Sequence, residues 1–171
     1  MMPVLIPPSE MPAIPGVRMP QEFYWVLQSP APLAGMSYPP LSTPWSAIAA
    51  AGLRCIVCLA EETPHYDPTP LKITYAAKLE DLAHKCPPKN PSREGRLIRE
   101  AVLAAEGKVR SGEGVVIHCD GGTGRTGTVI GCLLRALGLS ASEAVAYLDV
   151  LNKARGRKWP EAIWQAQLVE R

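Results

Sequence analysis

Gly114-Val-Val-Ile-His-Cys-Asp-Gly-Gly-Thr-Gly-Arg-Thr-Gly-Thr-Val-Ile130 is the stretch that decides how this chain is read. Val115, Val116 and Ile117 form a short β-branched run, which predicts a buried strand. Cys119 follows, then a turn rich in glycine and hydroxyl residues, then Arg125 and Thr126. Val129, Ile130, Leu133, Leu134 and Leu137 recur at helical spacing. Strand, tight loop and helix therefore follow one another.

That order is a physical device for holding a phosphate. A loop closing onto a helix N-terminus aims backbone N–H groups inward, and the helix dipole adds roughly half a positive charge there. Gly121, Gly122 and Gly124 let the backbone come close to an anion. The planar fork of Arg125 is suited to gripping two phosphate oxygens at once. The same field acts on Cys119, because a helix N-terminus beside a guanidinium favours a thiolate over a thiol. A nucleophile and an anion cradle share one loop. A nucleotide P-loop is excluded, since Cys119 stands where that pattern needs its first glycine and Arg125 where it needs lysine.

His118-Cys119, five further residues and Arg125-Thr126 resemble the signature loop of the cysteine-based protein tyrosine and dual-specificity phosphatases. The resemblance implies a phosphatase without metal or cofactor. Cys119 is its nucleophile, and Asp120, Gly121, Gly122, Thr123, Gly124 and Arg125 bind the substrate phosphate. Thr126 would give its hydroxyl to the sulfur as it departs from phosphorus, and His118 would support the loop by hydrogen bonds. Gln165 resembles the glutamine that orients water in some members, with Gln167 close by. The implied partner is a phosphorylated protein carrying phosphotyrosine, met by a monomer. Two alternatives stay open: a rhodanese-like sulfurtransferase using Cys119 as a persulfide carrier, and a non-catalytic phosphoresidue-binding module using the cradle alone.

The chemistry also asks for a general acid to protonate the leaving oxygen. In the family this is an Asp on a loop upstream of the signature. Asp67, Glu80, Asp81 and His84 are candidates. Leu71 to Asp81 resembles the family's strand running into that loop, which favours Asp81. Its separation from Cys119 is longer than in many dual-specificity members, and the insert carrying Pro87, Pro88 and Pro91 can absorb the difference.

Outward from the signature, 171 residues of near-average apolar content suit one domain with a full core. A net charge of +2 gives no bulk signal for nucleic acid or membrane. Residues 1–21 read as an extended segment crowded by Pro3, Pro7, Pro8, Pro12, Pro15 and Pro20, without the pattern of a signal peptide; residues 22–171 read as the phosphatase domain. Strands are predicted at Phe23–Leu27, Arg54–Leu59 and Leu71–Tyr75. Helices are predicted from Ser42 to about Ala51, and from a Ser92 cap to about Arg110 with Leu97, Ile98, Val102 and Leu103 as its apolar stripe. Ser140 and Glu143 form a capping-box pattern opening another, and Trp159-Pro160 starts a last helix with Ile163, Trp164 and Leu168. The alternation argues for an α/β fold, a mainly parallel central sheet flanked by helices, dual-specificity-phosphatase-like.

Five cysteines with nothing marking secretion point to a reducing cytoplasm. Cys55, Cys58 and Cys132 lie in apolar contexts and read as core, whereas Cys86 falls in the Pro-rich loop and is a candidate redox partner of Cys119. Asp120 puts an acid, and no base, among the variable loop positions. That disfavours polyanionic substrates relative to phosphotyrosine, whose ring Trp159 or Trp164 would flank.

Overall fold

The computed structural model describes residues 2–171. Six strands form one sheet: β1 (Val4–Leu5), β2 (Phe23–Ser29), β3 (Leu33–Met36), β4 (Leu53–Cys58), β5 (Lys72–Ala76) and β6 (Gly114–His118). Their spatial order is β1-β2-β3-β6-β4-β5. β6 lies between β3 and β4, parallel to both, and β5 extends the parallel part beyond β4. β1 and β2 add an antiparallel edge. The mainly parallel α/β sheet expected from the sequence is thus present, with the signature strand near its centre.

Alternation along β6 divides the core. Val115 and Ile117 face one side with Val57 of β4, against α2 (Pro91–Arg110), α3 (Gly124–Ala136), α4 (Ala141–Ala154) and α5 (Ile163–Glu170). Val116 and Ile56 face the other, against Ile48 of the short α1 (Trp45–Ala50) and Ile14 of the N-terminal segment. Both faces of β6 are covered, so Val115, Val116 and Ile117 run apolar without alternation. Each fully buried Leu, Ile or Val contributes ~1.5–3 kcal/mol of transfer free energy.

Helix starts follow local chemistry. The Ser140–Glu143 capping box is made reciprocally, at 3.1 Å in each direction. α2 is capped by Asn90 rather than Ser92: the Asn90 side chain accepts from Arg93 N, and Pro91 occupies the first helical position, where no N–H is needed. Its inward stripe is Leu97, Ile98, Ala101, Val102, Ala105 and Val109, and Leu103 points to solvent. α1 begins at Trp45 after Pro44, with no side-chain cap; Thr43 Oγ1 turns back to the Pro40 carbonyl. α5 begins only at Ile163, and Trp159 before it is buried against Gly127 of α3.

The Pro-rich N-terminus lies against the body. β1 pairs with β2, Trp25 Nε1 donates to the Pro12 carbonyl, and Tyr147 of α4 donates to the Ile6 carbonyl at 2.7 Å. Among the described residues no helix is long and apolar enough to cross a membrane, and no cluster of three metal-ligating side chains occurs.

Candidate active site

β6 ends at His118 and α3 begins at Gly124, so residues 119–123 form the turn at the C-terminal end of the central strand. Cys119 is buried, and its Sγ receives the Gly122 N–H at 3.3 Å. Gly122 has φ +72°, and a Cβ there would fall 2.8 Å from the Met36 backbone of β3, so both conformation and space require glycine.

The back of the turn is pinned by a residue that no sequence pattern marked. Arg155, at the C-terminal end of α4, is buried with its guanidinium spread under the loop. It donates to the carbonyls of Gly121 and Gly122 at 3.1 and 3.0 Å, and to Thr123 Oγ1 at 3.0 Å. Its other donors reach Pro20 O, Gln21 O and Asn152 Oδ1. Tyr24 completes the support, donating to Gly122 O at 2.6 Å with its ring 4.4 Å from the Arg155 carbon. Carbonyls drawn backward turn the adjoining peptide N–H groups forward, which is the geometry of an anion nest.

Arg125 stands at the first turn of α3, buried apart from an edge that reaches the cleft. Its Nη2 contacts Asp120 Oδ2 at 3.0 Å. Burial opposes its charge, but the facing Cys119 and Asp120 outweigh that and raise its pKa. The carboxylate of Glu161 lies beside it: a Cβ on Gly124 would collide with Glu161 Oε1. Burial and nearby Asp81 hold the Glu161 carboxyl above the usual range, against Arg125 and Arg157.

His118 is fully buried, and desolvation lowers its pKa, keeping the ring neutral. Nδ1 meets the Cys119 carbonyl at 3.0 Å and must donate there. Nε2 therefore accepts from Tyr66 OH at 2.6 Å. Tyr38 packs edge-on against the same ring, donates its hydroxyl to Glu61, and through its backbone N–H holds the Asp120 carbonyl at 2.8 Å. His118 is thus placed as a loop support.

Two expected contacts take another form. Thr126 Oγ1 is buried without a hydrogen-bond partner, so the hydroxyl-to-sulfur bond is not made in this state. Gln165 is buried beside Arg125, but its Oε1 accepts the N–H groups of Glu161 and Ala162 at 2.8 and 3.2 Å. Only its amide nitrogen faces the signature helix.

Asp81 shares a cleft of about 500 Å³ with Arg125, Asp120, Glu62, Lys78, Lys89 and Arg93. Its Oδ1 receives the Ala83 N–H at 3.0 Å. Glu80 bridges to the N–H groups of Lys89 and Asn90, closing the Pro-rich excursion on itself. The backbone of Glu80 is in turn held by buried Glu94 at 3.1 Å. The insert therefore leaves Asp81 at the cleft despite the longer spacing. Asp67 binds Thr69 within an exposed turn. His84 and Cys86 lie exposed on the excursion, outside the residues lining the cleft. Neither tryptophan forms the expected lip. Trp159 is buried against Gly127, where a Cβ would meet its ring at 2.7 Å, and half-buried Trp164 packs on the core beneath Arg125.

Residues 20–160 match the family described as "Swiss Army Knife protein, DSP-PTPase phosphatase domain". The chain belongs to this family. It is a phosphatase of the dual-specificity type. Among solved structures, Tk-PTP in its active form is 25% identical with a TM-score of 0.59, the match covering 81% of this chain and 88% of the other. Human DUSP28 is 22% identical over 81% and 87%, with a TM-score of 0.55. The core catalytic domain of the PP-IP phosphatase SIW14 from S. cerevisiae is 21% identical over 81% and 79%, with a TM-score of 0.56. The phosphatase thus carries the signature loop on the sheet expected for it, with Arg155, Tyr24 and Glu161 among the residues around the site that the sequence did not mark.

Proposed function

We propose that the phosphatase hydrolyses phosphotyrosine in proteins, and phosphoserine or phosphothreonine more slowly, through a phosphocysteine intermediate. The observation that carries this reading is that Asp81 and Arg125 line one cleft, while Cys119 opens the turn that ends at Arg125 with its Sγ taking the Gly122 N–H. Cys119 attacks phosphorus while Asp81 protonates the leaving oxygen, and the loop N–H groups with Arg125 hold the equatorial oxygens. Water then cleaves the phosphocysteine. A persulfide carrier has no use for a carboxylic acid at the cleft beside Arg125, and a binding module none for the thiol. Both alternatives are therefore disfavoured.

Substrate preference follows from charge. Asp120 lies against Arg125 at the anion site, so a polyanion meets a carboxylate there, whereas one phosphate needs only the loop amides and the guanidinium. The cleft is open and has no aromatic lining, which admits alkyl as well as aryl phosphates. One observation favours a second reading: Lys78, Lys89 and Arg93 line the same cleft and suit a polyphosphorylated small molecule, the class that the SIW14 match acts on by name. Comparing kcat/KM for phosphotyrosine peptide, phosphoserine peptide and an inositol polyphosphate decides between them. The first should lead; leadership by the last assigns the cleft to polyanions.

A further inference from the structure

Glu161 lies on the turn between α4 and α5, and its carboxylate rests on Gly124, the first residue of the signature helix. A Cβ at that position would collide with Glu161 Oε1 and fall 3.0 Å from Gln165 Nε2. The orientation of Gln165 is fixed, because its oxygen is occupied by the two N–H groups of Glu161 and Ala162. A hydrogen-bond acceptor and a hydrogen-bond donor therefore lie side by side against Gly124, the residue before Arg125. An acceptor–donor pair of this kind suits a water molecule, which needs partners of both kinds.

Resting on the phosphocysteine reading, we propose that Glu161 is a second catalytic carboxylate, taking the proton from the water that hydrolyses the phosphocysteine while Gln165 holds that water in place. The water oxygen bonds to phosphorus and the P–S bond breaks, its electron pair remaining on Cys119 as thiolate. One water proton passes to Glu161 and inorganic phosphate leaves. Glu161 then releases its proton to solvent, and Asp81, which gave its own to the leaving oxygen in the first step, regains one.

The charged groups facing Glu161 are Asp81 from the β5–α2 segment, Arg125 from α3 and Arg157 from its own turn. Burial and Asp81 hold the carboxyl above the usual glutamate range, which makes it a stronger base toward water than an exposed glutamate. The division of labour is then spatial: Asp81 serves the leaving group and Glu161 the incoming water.

Stopped-flow release of p-nitrophenol from p-nitrophenyl phosphate separates the two steps. Glu161→Gln should give a burst near one product per enzyme, then steady turnover at least ~10-fold below wild type. Asp81→Asn should be slow without a burst. Glu161→Gln without a burst, whether fast or slow, overturns the proposal. Turnover persisting in Cys119→Ser would instead remove the phosphocysteine reading beneath it. Should Glu161→Gln fail to fold, rapid-quench measurement of phosphoenzyme decay in the wild-type protein carries the test. Decay should fall with decreasing pH through one ionisation lying above the ordinary glutamate range of ~4.3. Decay that is flat from about pH 4 to 8 overturns the proposal.

Discussion

Asp120 Oδ2 sits 3.0 Å from Arg125 Nη2, so a carboxylate occupies one arm of the guanidinium fork. In the proposed mechanism the substrate phosphate takes that arm over. The Asp120 side chain is 67% exposed, so the pair is screened and contributes only ~0–1 kcal/mol. Asp120→Asn should therefore lower the inhibition constant of inorganic phosphate by no more than ~5-fold. Weaker phosphate binding in that variant would show that Asp120 aids the anion instead of competing with it.

In the proposed mechanism Asp81, which lines the cleft with Arg125, is the acid. Asp81→Asn should lower kcat by ~10²–10⁴-fold and remove the basic limb of the pH–rate profile, with phosphotyrosine binding retained. A near-normal Asp81→Asn beside a crippled His84→Ala or Asp67→Asn would place the acid elsewhere on the loop.

Arg155 holds two carbonyls of the cradle from behind. Arg155→Met would take this donor from the carbonyls of Gly121, Pro20 and Gln21 and leave the Gly122 carbonyl with Tyr24 alone. Loss of ~2–4 kcal/mol of folding stability is expected, measured by denaturant titration, because each orphaned buried acceptor costs ~1–3 kcal/mol. Arg155→Lys should recover little of this, since an ammonium cannot span acceptors that a planar fork reaches. A loss below ~1 kcal/mol would mean that the loop holds its shape unaided.

His118 gives a stability prediction with a definite sign. Burial lowers its folded-state pKa below the ordinary value of 6.5, so the unfolded chain binds the proton more readily. The stability contributed is fully present above about pH 6.5 and is lost as pH falls through the folded value. The denaturation midpoint of wild type should drop between pH 7.5 and 5 more steeply than that of His118→Gln. Parallel curves would show that the ring does accept a proton in the folded state.

These residues also mark how far the sequence could be read. Val115–Ile117 and the spacing from Cys119 to Arg125 are local patterns, so strand, turn and helix were legible, as was the Ser140–Glu143 cap. β3 was not. Leu33-Ala-Gly-Met is short and weakly β-branched, and it is a strand because β6 pairs with it on one side and β2 on the other. Leu103 is apolar but faces solvent, because on a 3.6-residue period it falls opposite Leu97, Ile98 and Ala101. Arg155 and Glu161 look like ordinary surface charges near a helix end. Only the tertiary fold turns one under the cradle and sets the other against Gly124.

The proposed chemistry depends above all on a covalent bond between Cys119 and phosphorus. That bond can be trapped by denaturing quench of the enzyme during turnover of a ³²P-labelled phosphotyrosine peptide, followed by peptide mapping. Label is expected on the peptide containing Cys119, with neither label nor turnover in Cys119→Ser. Label on another residue, or undiminished turnover in Cys119→Ser, would rule out Cys119 as the nucleophile.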